Sequence, residues 1–264
     1  MAKTSNADRR EAAREQARLL REEQAKREQR NRMLIIVGAV AVLALVGAAI
    51  WAIVSQGNKS AIEQLDAADI PANTQVSDGG ISVGSTLAAG STNPGAPTVD
   101  VYLDYLCTYC LQFEAQYTEY LDQAAKDGEA TVVYHPVALL DSSGDYSLLS
   151  GRGANAAATV AADAPEHFLK AHAALIALGQ QVIDSQGAYM PTPDEIQTAL
   201  VDAGVPAATA TRAAEAPFTP WVEATTTQFG RDGFRGTPTI LVNGTELQNW
   251  PEPNAVQDAV AAAS

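Results

Sequence analysis

An uninterrupted apolar run at residues Met33–Val54, MLIIVGAVAVLALVGAAIWAIV, constrains the fold of this chain more than any other feature. It spans 22 residues without a charged side chain. As a helix it would be about 33 Å long, which is enough to cross a hydrocarbon layer of about 30 Å. A cleaved signal peptide has a shorter basic start and an apolar run of only about 7–15 residues. The run therefore predicts one retained transmembrane helix over 33–54.

The charges on the two sides of this run have opposite net sign. Residues 1–32 contain 10 Lys+Arg and 6 Asp+Glu, whereas the rest of the chain contains 7 and 25. Because basic residues accumulate on the cytoplasmic side of a membrane, we expect residues 1–32 to be a charged cytoplasmic tail and the residues after 55 to lie outside the cell membrane. The acidic outer part argues against nucleic acid as a partner.

The part outside the membrane divides into a linker and one α/β domain. Residues 55–78 have a mixed, turn-rich composition and are predicted as a linker, so the domain covers 79–264. Within it, Thr98–Leu106 alternates with period two, which is typical of a strand. A helical pattern follows, and Ala130–Val137 is predicted as the next strand, which completes a βαβ unit.

Ala-rich segments separated by prolines fill residues 142–230 and predict a large helical insertion in this domain. The clearest helix is Thr192–Ala203, which begins with a capping box and has a proline at its first helical position. After the insertion, Thr237–Val242 predicts a strand, Asn243-Gly244 a hairpin turn and Asn254–Ala263 a last helix.

Both cysteines of the chain lie in one motif, Cys107-Thr108-Tyr109-Cys110, where the first strand gives way to the helix. The free backbone N–H groups and the dipole at a helix N-terminus favour an anion. We therefore expect Cys107 to have a lowered pKa and to attack as a thiolate. Cys110 lies one turn further on, faces inward and is placed to resolve a mixed disulfide.

Other uses of a Cys-x-x-Cys pair remain open. A structural disulfide here would close a very small loop and would restrain the unfolded chain little. A zinc or copper site would need two further ligands, and His135, His167 and His172 are not closely spaced with the motif. We therefore expect no metal and no cofactor apart from a redox-active Cys107–Cys110 disulfide. A metallochaperone or a redox-inert binding module is the alternative from a different class.

A second motif, Gly236-Thr237-Pro238-Thr239-Ile-Leu-Val-Asn-Gly, places a proline at the start of a strand. Spacing alone favours an ordinary trans proline there, with a cis bond as the alternative. Together with the segment VDVYLDYLCTYCLQFE, this motif resembles the thioredoxin superfamily. The spacing of 128 residues from Cys110 to Pro238 resembles its DsbA-like branch, in particular membrane-anchored thiol:disulfide oxidoreductases of high-GC Gram-positive bacteria.

The resemblance implies a thioredoxin-like α/β fold with a large helical insertion, preceded by one transmembrane helix. It implies that Cys107 is the nucleophile, that Cys110 is the resolving thiol, and that Pro238 is a cis-proline facing them. Thr237 and Pro238 would bind the extended backbone of a substrate. The implied function is to introduce disulfides into exported cysteine-containing proteins, with a membrane redox partner for recycling. A disulfide isomerase or a reductase is the alternative within this chemistry.

Some positions depart from the family pattern or have an open role. Thr108 follows the first cysteine, where many DsbA-like members have proline, and Val101 stands where thioredoxins often bury an acid. Asp104 is expected to be solvated or to cap a turn, with proton transfer to Cys110 as the alternative. His135 is expected to end a strand without a catalytic duty, and His172 to be packed in the core.

Overall fold

The computed structural model describes residues 59–141 and 143–264, together with scattered positions between residues 14 and 47 that are helical. The chain divides into two compact units, Met1–Asn58 and Lys59–Ser264. The predicted cytoplasmic tail at 1–32 and transmembrane helix at 33–54 lie largely outside the described residues. Among the residues that are described, no helix combines the length and the apolar character needed to cross a membrane.

The second unit is built on a five-stranded sheet with the strand order β1-β3-β2-β4-β5. The strands are β1 (Ile81–Val83), β2 (Thr98–Leu103), β3 (Thr131–Pro136), β4 (Thr239–Val242) and β5 (Thr245–Glu246). The central pair β2 and β3 is parallel, and the other neighbouring pairs are antiparallel. A parallel pair needs a crossover connection, and a helix provides it here.

Helices surround this sheet, and most of them lie in the insertion between β3 and β4. The helices are α1 (Thr108–Asp127), α2 (Leu149–Asp163), α3 (Phe168–Asp184), α4 (Pro193–Asp202), α5 (Ala207–Ala214), α6 (Thr219–Arg231) and α7 (Ala255–Ala263). Helix α1 is the crossover between β2 and β3. It ends at Gly128, whose φ of 81° provides the left-handed residue that commonly closes a helix.

The core packs both faces of the central strands against helices. All six residues of β3 are buried, as expected for a strand that is covered on both sides. The insertion packs closely where its buried residues are small, as are most of those on α2. Gly179 of α3 is the tightest case, since a Cβ at this position would lie 2.1 Å from the backbone oxygen of Tyr105. Only glycine therefore lets α3 approach the turn that precedes Cys107.

The structure has the predicted α/β architecture, with the helical insertion between β3 and β4 and element boundaries shifted by a few residues. The capping box forms between Thr192 and Glu195, and Pro193 is the first residue of α4. The hairpin turn also forms, with φ of 47° at Asn243 and 76° at Gly244. Two positive φ values in a two-residue loop match the right-handed twist of the adjoining strands.

The predicted linker at 55–78 is wrong for residues 59–78, which pack against the domain. Ile62 is fully buried in the core, and the Ala61 N–H donates to Oε1 of Gln228 at 2.9 Å. The prediction failed because the apolar residues of this segment do not recur at a regular spacing. Its buried apolar residues are isolated among polar ones, so no helix or strand pattern marks them.

Candidate active site

Cys107 lies at the N-cap of α1, and the turn at residues 104–106 joins it to the end of β2. Its Sγ accepts a hydrogen bond from the Cys110 backbone N–H at 3.4 Å, as an N-cap side chain does. The hydrogen bond from the Cys110 thiol is the largest effect on Cys107 and lowers its pKa. Burial opposes this effect, while hydrogen bonds from Thr237 and the backbone add to it, and the pKa falls to about 6.

Cys110 has the opposite environment. It is 1% exposed, and burial raises the pKa of its thiol, as do the hydrogen bond to Cys107 and the Cys107 charge. Both cysteines are free, so the structure represents the dithiol form. At pH 7 these two shifts favour a thiolate at Cys107 and a protonated thiol at Cys110. This is the division expected between an attacking thiolate and a resolving thiol.

The Thr237–Pro238 segment lies directly against the cysteine pair. The peptide bond between the two residues is cis, whereas spacing alone favoured trans. Sγ of Cys107 lies 3.1 Å from the backbone oxygen of Thr237 and donates to it when the thiol is protonated. Strand β4 pairs with β2 through Tyr102 and Thr239, so the residues just before β4 meet the end of β2 that leads to Cys107. The structure thus brings all four predicted site residues together.

Asp104 is placed differently from the expectation of a solvated residue. It is fully buried, and its carboxylate accepts hydrogen bonds from the N–H groups of Leu106 and Leu140 and from the hydroxyl of Ser150. Burial raises the pKa of Asp104 and outweighs these hydrogen bonds, which lower it. The capping part of the expectation is correct, because the bond to Leu106 closes a turn within the chain.

The histidines do not contact the cysteine pair. His135 is buried at the end of β3, where Nε2 lies 3.0 Å from Oδ1 of Asp100 and the ring stacks on Tyr102 at 4.0 Å. His172 is packed as predicted, and its Nδ1 lies 3.0 Å from the Tyr105 hydroxyl. Among the described residues, no three His, Cys, Asp or Glu side chains are grouped so that they could hold a metal ion.

Sequence reasoning missed a buried carboxylate on the active-site helix α1. Glu114 of α1 is 4% exposed, and its Oε1 lies 3.2 Å from Nε2 of His172. Its position could have been found from the sequence, because Glu114 falls in the apolar stripe of α1 that also includes Tyr117 and Leu121. A charged residue inside such a stripe is seldom buried unless it is paired.

The lowered pKa of Cys107 gives a direct prediction for alkylation. We expect the rate of modification by iodoacetamide to reach half its maximum near pH 6, because the thiolate is present above the pKa and lost below it. Mass spectrometry should place the first adduct on Cys107, since the raised pKa of Cys110 keeps that thiol protonated. Glutathione in the same buffers is the control. A midpoint near the value of about 8.5 for free cysteine would contradict the geometry.

Comparison with known proteins agrees with this fold. The thioredoxin family profile matches residues 83–262. MdbA, a thiol-disulfide oxidoreductase from Actinomyces oris, is 25% identical, with a TM-score of 0.63 over 78% of this chain and 96% of that one. The reduced disulfide bond oxidoreductase DsbG from Mycobacterium tuberculosis is 26% identical, with a TM-score of 0.56 over 70% and 86%.

A third solved structure, DsbA from Mycobacterium tuberculosis, is 25% identical, with a TM-score of 0.51 over 70% of this chain and 100% of that one. No curated protein sequence matches the chain. The family match includes β2, the cysteine pair, the insertion and the Thr237–Pro238 segment, and it extends over more than half of the chain. The chain therefore belongs to the thioredoxin family.

Proposed function

We propose that this protein is an extracytoplasmic oxidase that introduces disulfides into exported cysteine-containing proteins. The coarser assignment is a protein thiol:disulfide oxidoreductase, and the chain is one: it belongs to the thioredoxin family and resembles enzymes of this class. The observation that carries the finer proposal is the pKa of Cys107, which is lowered to about 6 while that of Cys110 is raised.

A low pKa at Cys107 favours the oxidising direction. At pH 7 a thiol with a pKa of about 6 is about 90% thiolate, against about 3% for a free cysteine with a pKa near 8.5. The gain in attacking power is small, because nucleophilicity falls as the pKa falls. The gain as a leaving group is not offset in this way. Stabilising the reduced form makes the disulfide a stronger oxidant, and DsbA is a strong oxidant for this reason.

The reaction follows from the two cysteines without a separate cofactor. A substrate thiolate attacks Sγ of Cys107 in the Cys107–Cys110 disulfide, and Cys110 leaves and takes a proton. A second substrate thiolate then attacks the substrate sulfur of the mixed disulfide. This step forms the substrate disulfide and releases Cys107 as a thiolate. Two electrons have passed to the enzyme, and a membrane redox partner must remove them.

The substrate-binding role proposed for Thr237 and Pro238 rests on their contact with Cys107. An extended substrate segment could pair with the backbone of this loop, so that its cysteine meets Sγ. The location outside the cytoplasm and the anchoring by residues 33–54 rest on the sequence alone, through the uncharged run and the charge difference across it.

The reduction potential of the full chain, kept in detergent and equilibrated in glutathione buffers, tests the direction of the reaction. A value between about −120 and −180 mV supports an oxidase or an isomerase, whereas a value near −270 mV would replace the proposal by a reductase. Reactivation of a scrambled-disulfide substrate separates the first two, because an isomerase acts on it without a net change in oxidation. Metal that purifies in stoichiometric amount and is lost in Cys110→Ser would instead favour a metallochaperone.

A further inference from the structure

Asp104 occupies an unusual place for a carboxylate. It is the first residue after β2, three residues before Cys107, and no part of it is exposed. Its Oδ1 accepts from the Leu106 N–H at 2.8 Å and from the Ser150 hydroxyl at 2.5 Å. Its Oδ2 accepts from the Leu140 N–H at 2.9 Å. Both carboxylate oxygens are therefore used, and all three donors come from different segments.

These three segments meet at this carboxylate. Leu106 is in the turn that leads into Cys107, Leu140 is in the loop after β3, and Ser150 is in the first turn of α2. The Cys107 N–H also donates to the backbone oxygen of Asp104 at 2.9 Å. Asp104 is thus the first residue of a β-turn, a position at which Asp bonds the N–H two residues on. Its side chain fixes that turn to the helical insertion.

The placement of this turn controls what Cys107 can do. The pKa of Cys107 is lowered by hydrogen bonds that depend on its N-cap position at the start of α1, including those from Cys110 and the backbone. Asp104 itself makes no contact with the sulfur of Cys107 and is not among the charges that shift its pKa. Any effect of Asp104 on reactivity must therefore pass through the position of the turn.

We propose that Asp104 is a positioning residue that uses its carboxylate to hold the Cys107 turn against the loop after β3 and the first turn of α2. This inference rests on the proposed function for its meaning but not for its test, because the reactivity of Cys107 can be measured whether the enzyme is an oxidase or a reductase. The positioning role needs no proton transfer by Asp104, because it depends only on the three contacts that the carboxylate makes with the scaffold.

The test compares Asp104→Asn and Ser150→Ala with the wild type in the full chain. Asparagine has the shape of aspartate, but an NH2 group replaces one of its two oxygens. Because this group cannot accept a hydrogen bond, at least one of the three contacts must break. We expect the iodoacetamide midpoint of Cys107 to rise from about 6 toward the value of about 8.5 for a free cysteine. Turnover should fall by roughly 10- to 100-fold, as expected for a misplaced reacting group.

Ser150→Ala removes one donor and leaves the two N–H donors in place, so we expect the same changes with a smaller size. It also keeps the proposal testable if Asp104→Asn fails to fold. Asp100→Asn is the control. Asp100 lies on β2, the strand before the turn, but its carboxylate is bonded to His135, so this change should leave the alkylation midpoint of Cys107 unchanged. An unchanged midpoint in both test variants would reduce Asp104 to a purely structural role. A lowered midpoint in Asp104→Asn would mean that its charge acts on Cys107, and this would also overturn the proposal.

Discussion

Replacing Cys107 with serine is expected to abolish disulfide transfer, so that a reduced substrate protein forms its disulfides no faster than without enzyme. The sulfur of Cys107 is the one that carries the negative charge at neutral pH, because its pKa is lowered to about 6. A serine hydroxyl cannot form the mixed disulfide, and Cys110 cannot replace Cys107. Burial is the largest cause of the raised pKa of Cys110, and this effect remains in the variant and keeps Cys110 a protonated thiol.

Cys110→Ser is the matched variant, because it also removes one sulfur but should leave a trapped intermediate. In this variant Cys107 is first converted to a mixed disulfide with thionitrobenzoate. A reduced substrate with a single cysteine then displaces the coloured thiol and stays attached to Cys107, since neither Cys110 nor a second substrate thiol remains to release it. We expect the complex to be visible on a non-reducing gel and to disappear on addition of dithiothreitol.

The two variants together separate the proposed enzyme from its alternatives. A redox-inert binding module would keep the affinity for its partner in Cys107→Ser and would form no covalent complex in Cys110→Ser. An exchange of roles, with Cys107→Ser forming the covalent complex and Cys110→Ser forming none, would contradict the assignment made from the pKa directions. Neither result depends on the location of the protein in the cell.

The parts of the fold that were predictable from sequence are those with a strong local pattern. Alternation in β2, the capping box at Thr192 and the hairpin at Asn243-Gly244 each depend on residues within a few positions of each other. The position of Cys107 at the N-cap of α1 was predictable for the same reason. A strand pattern, a Cys-x-x-Cys pair and a helix pattern follow one another without a gap.

The parts that were not predictable depend on residues far apart in the chain. Asp104 is buried because Leu140 and Ser150 supply donors from 36 and 46 residues away. The cis form of the Thr237–Pro238 bond was not indicated by spacing, since an X–Pro bond adopts either isomer locally and the tertiary setting selects between them. The packing of residues 59–78 likewise depends on partners such as Gln228, which lies on α6.

Replacing Glu114 with alanine is expected to lower the free energy of unfolding by about 3–5 kcal/mol, the usual cost of removing one partner from a buried ion pair. The Glu114 and His172 side chains are each 3% exposed and lie 3.2 Å apart. Thr118 donates to the second carboxylate oxygen of Glu114 at 2.6 Å, and the Tyr105 hydroxyl contacts the other ring nitrogen of His172. Alanine would leave His172 buried without this partner.

The pKa shift of Glu114 determines how the loss of stability in Glu114→Ala depends on pH. Burial raises the pKa of Glu114, but the charge of His172 at 3.2 Å and the hydrogen bond from Thr118 outweigh it and hold the pKa below its ordinary value of 4.5. A carboxyl whose pKa is depressed by folding contributes its stability above the unfolded pKa and loses it as the pH falls through the folded pKa. The difference between wild type and Glu114→Ala should therefore be complete above about pH 4.5 and should shrink below it.

Glu119→Ala is the control, because Glu119 lies on the same helix but is exposed, and its replacement should change stability by no more than about 0.5 kcal/mol. Urea unfolding of the full chain in detergent, followed by tryptophan fluorescence that includes the buried Trp221, measures both changes. His172→Ala combined with Glu114→Ala should cost less than the sum of the single variants, because the second change removes a group that has already lost its partner. Equal losses at Glu114 and Glu119, or strictly additive losses at Glu114 and His172, would mean that this pair does not stabilise the active-site helix.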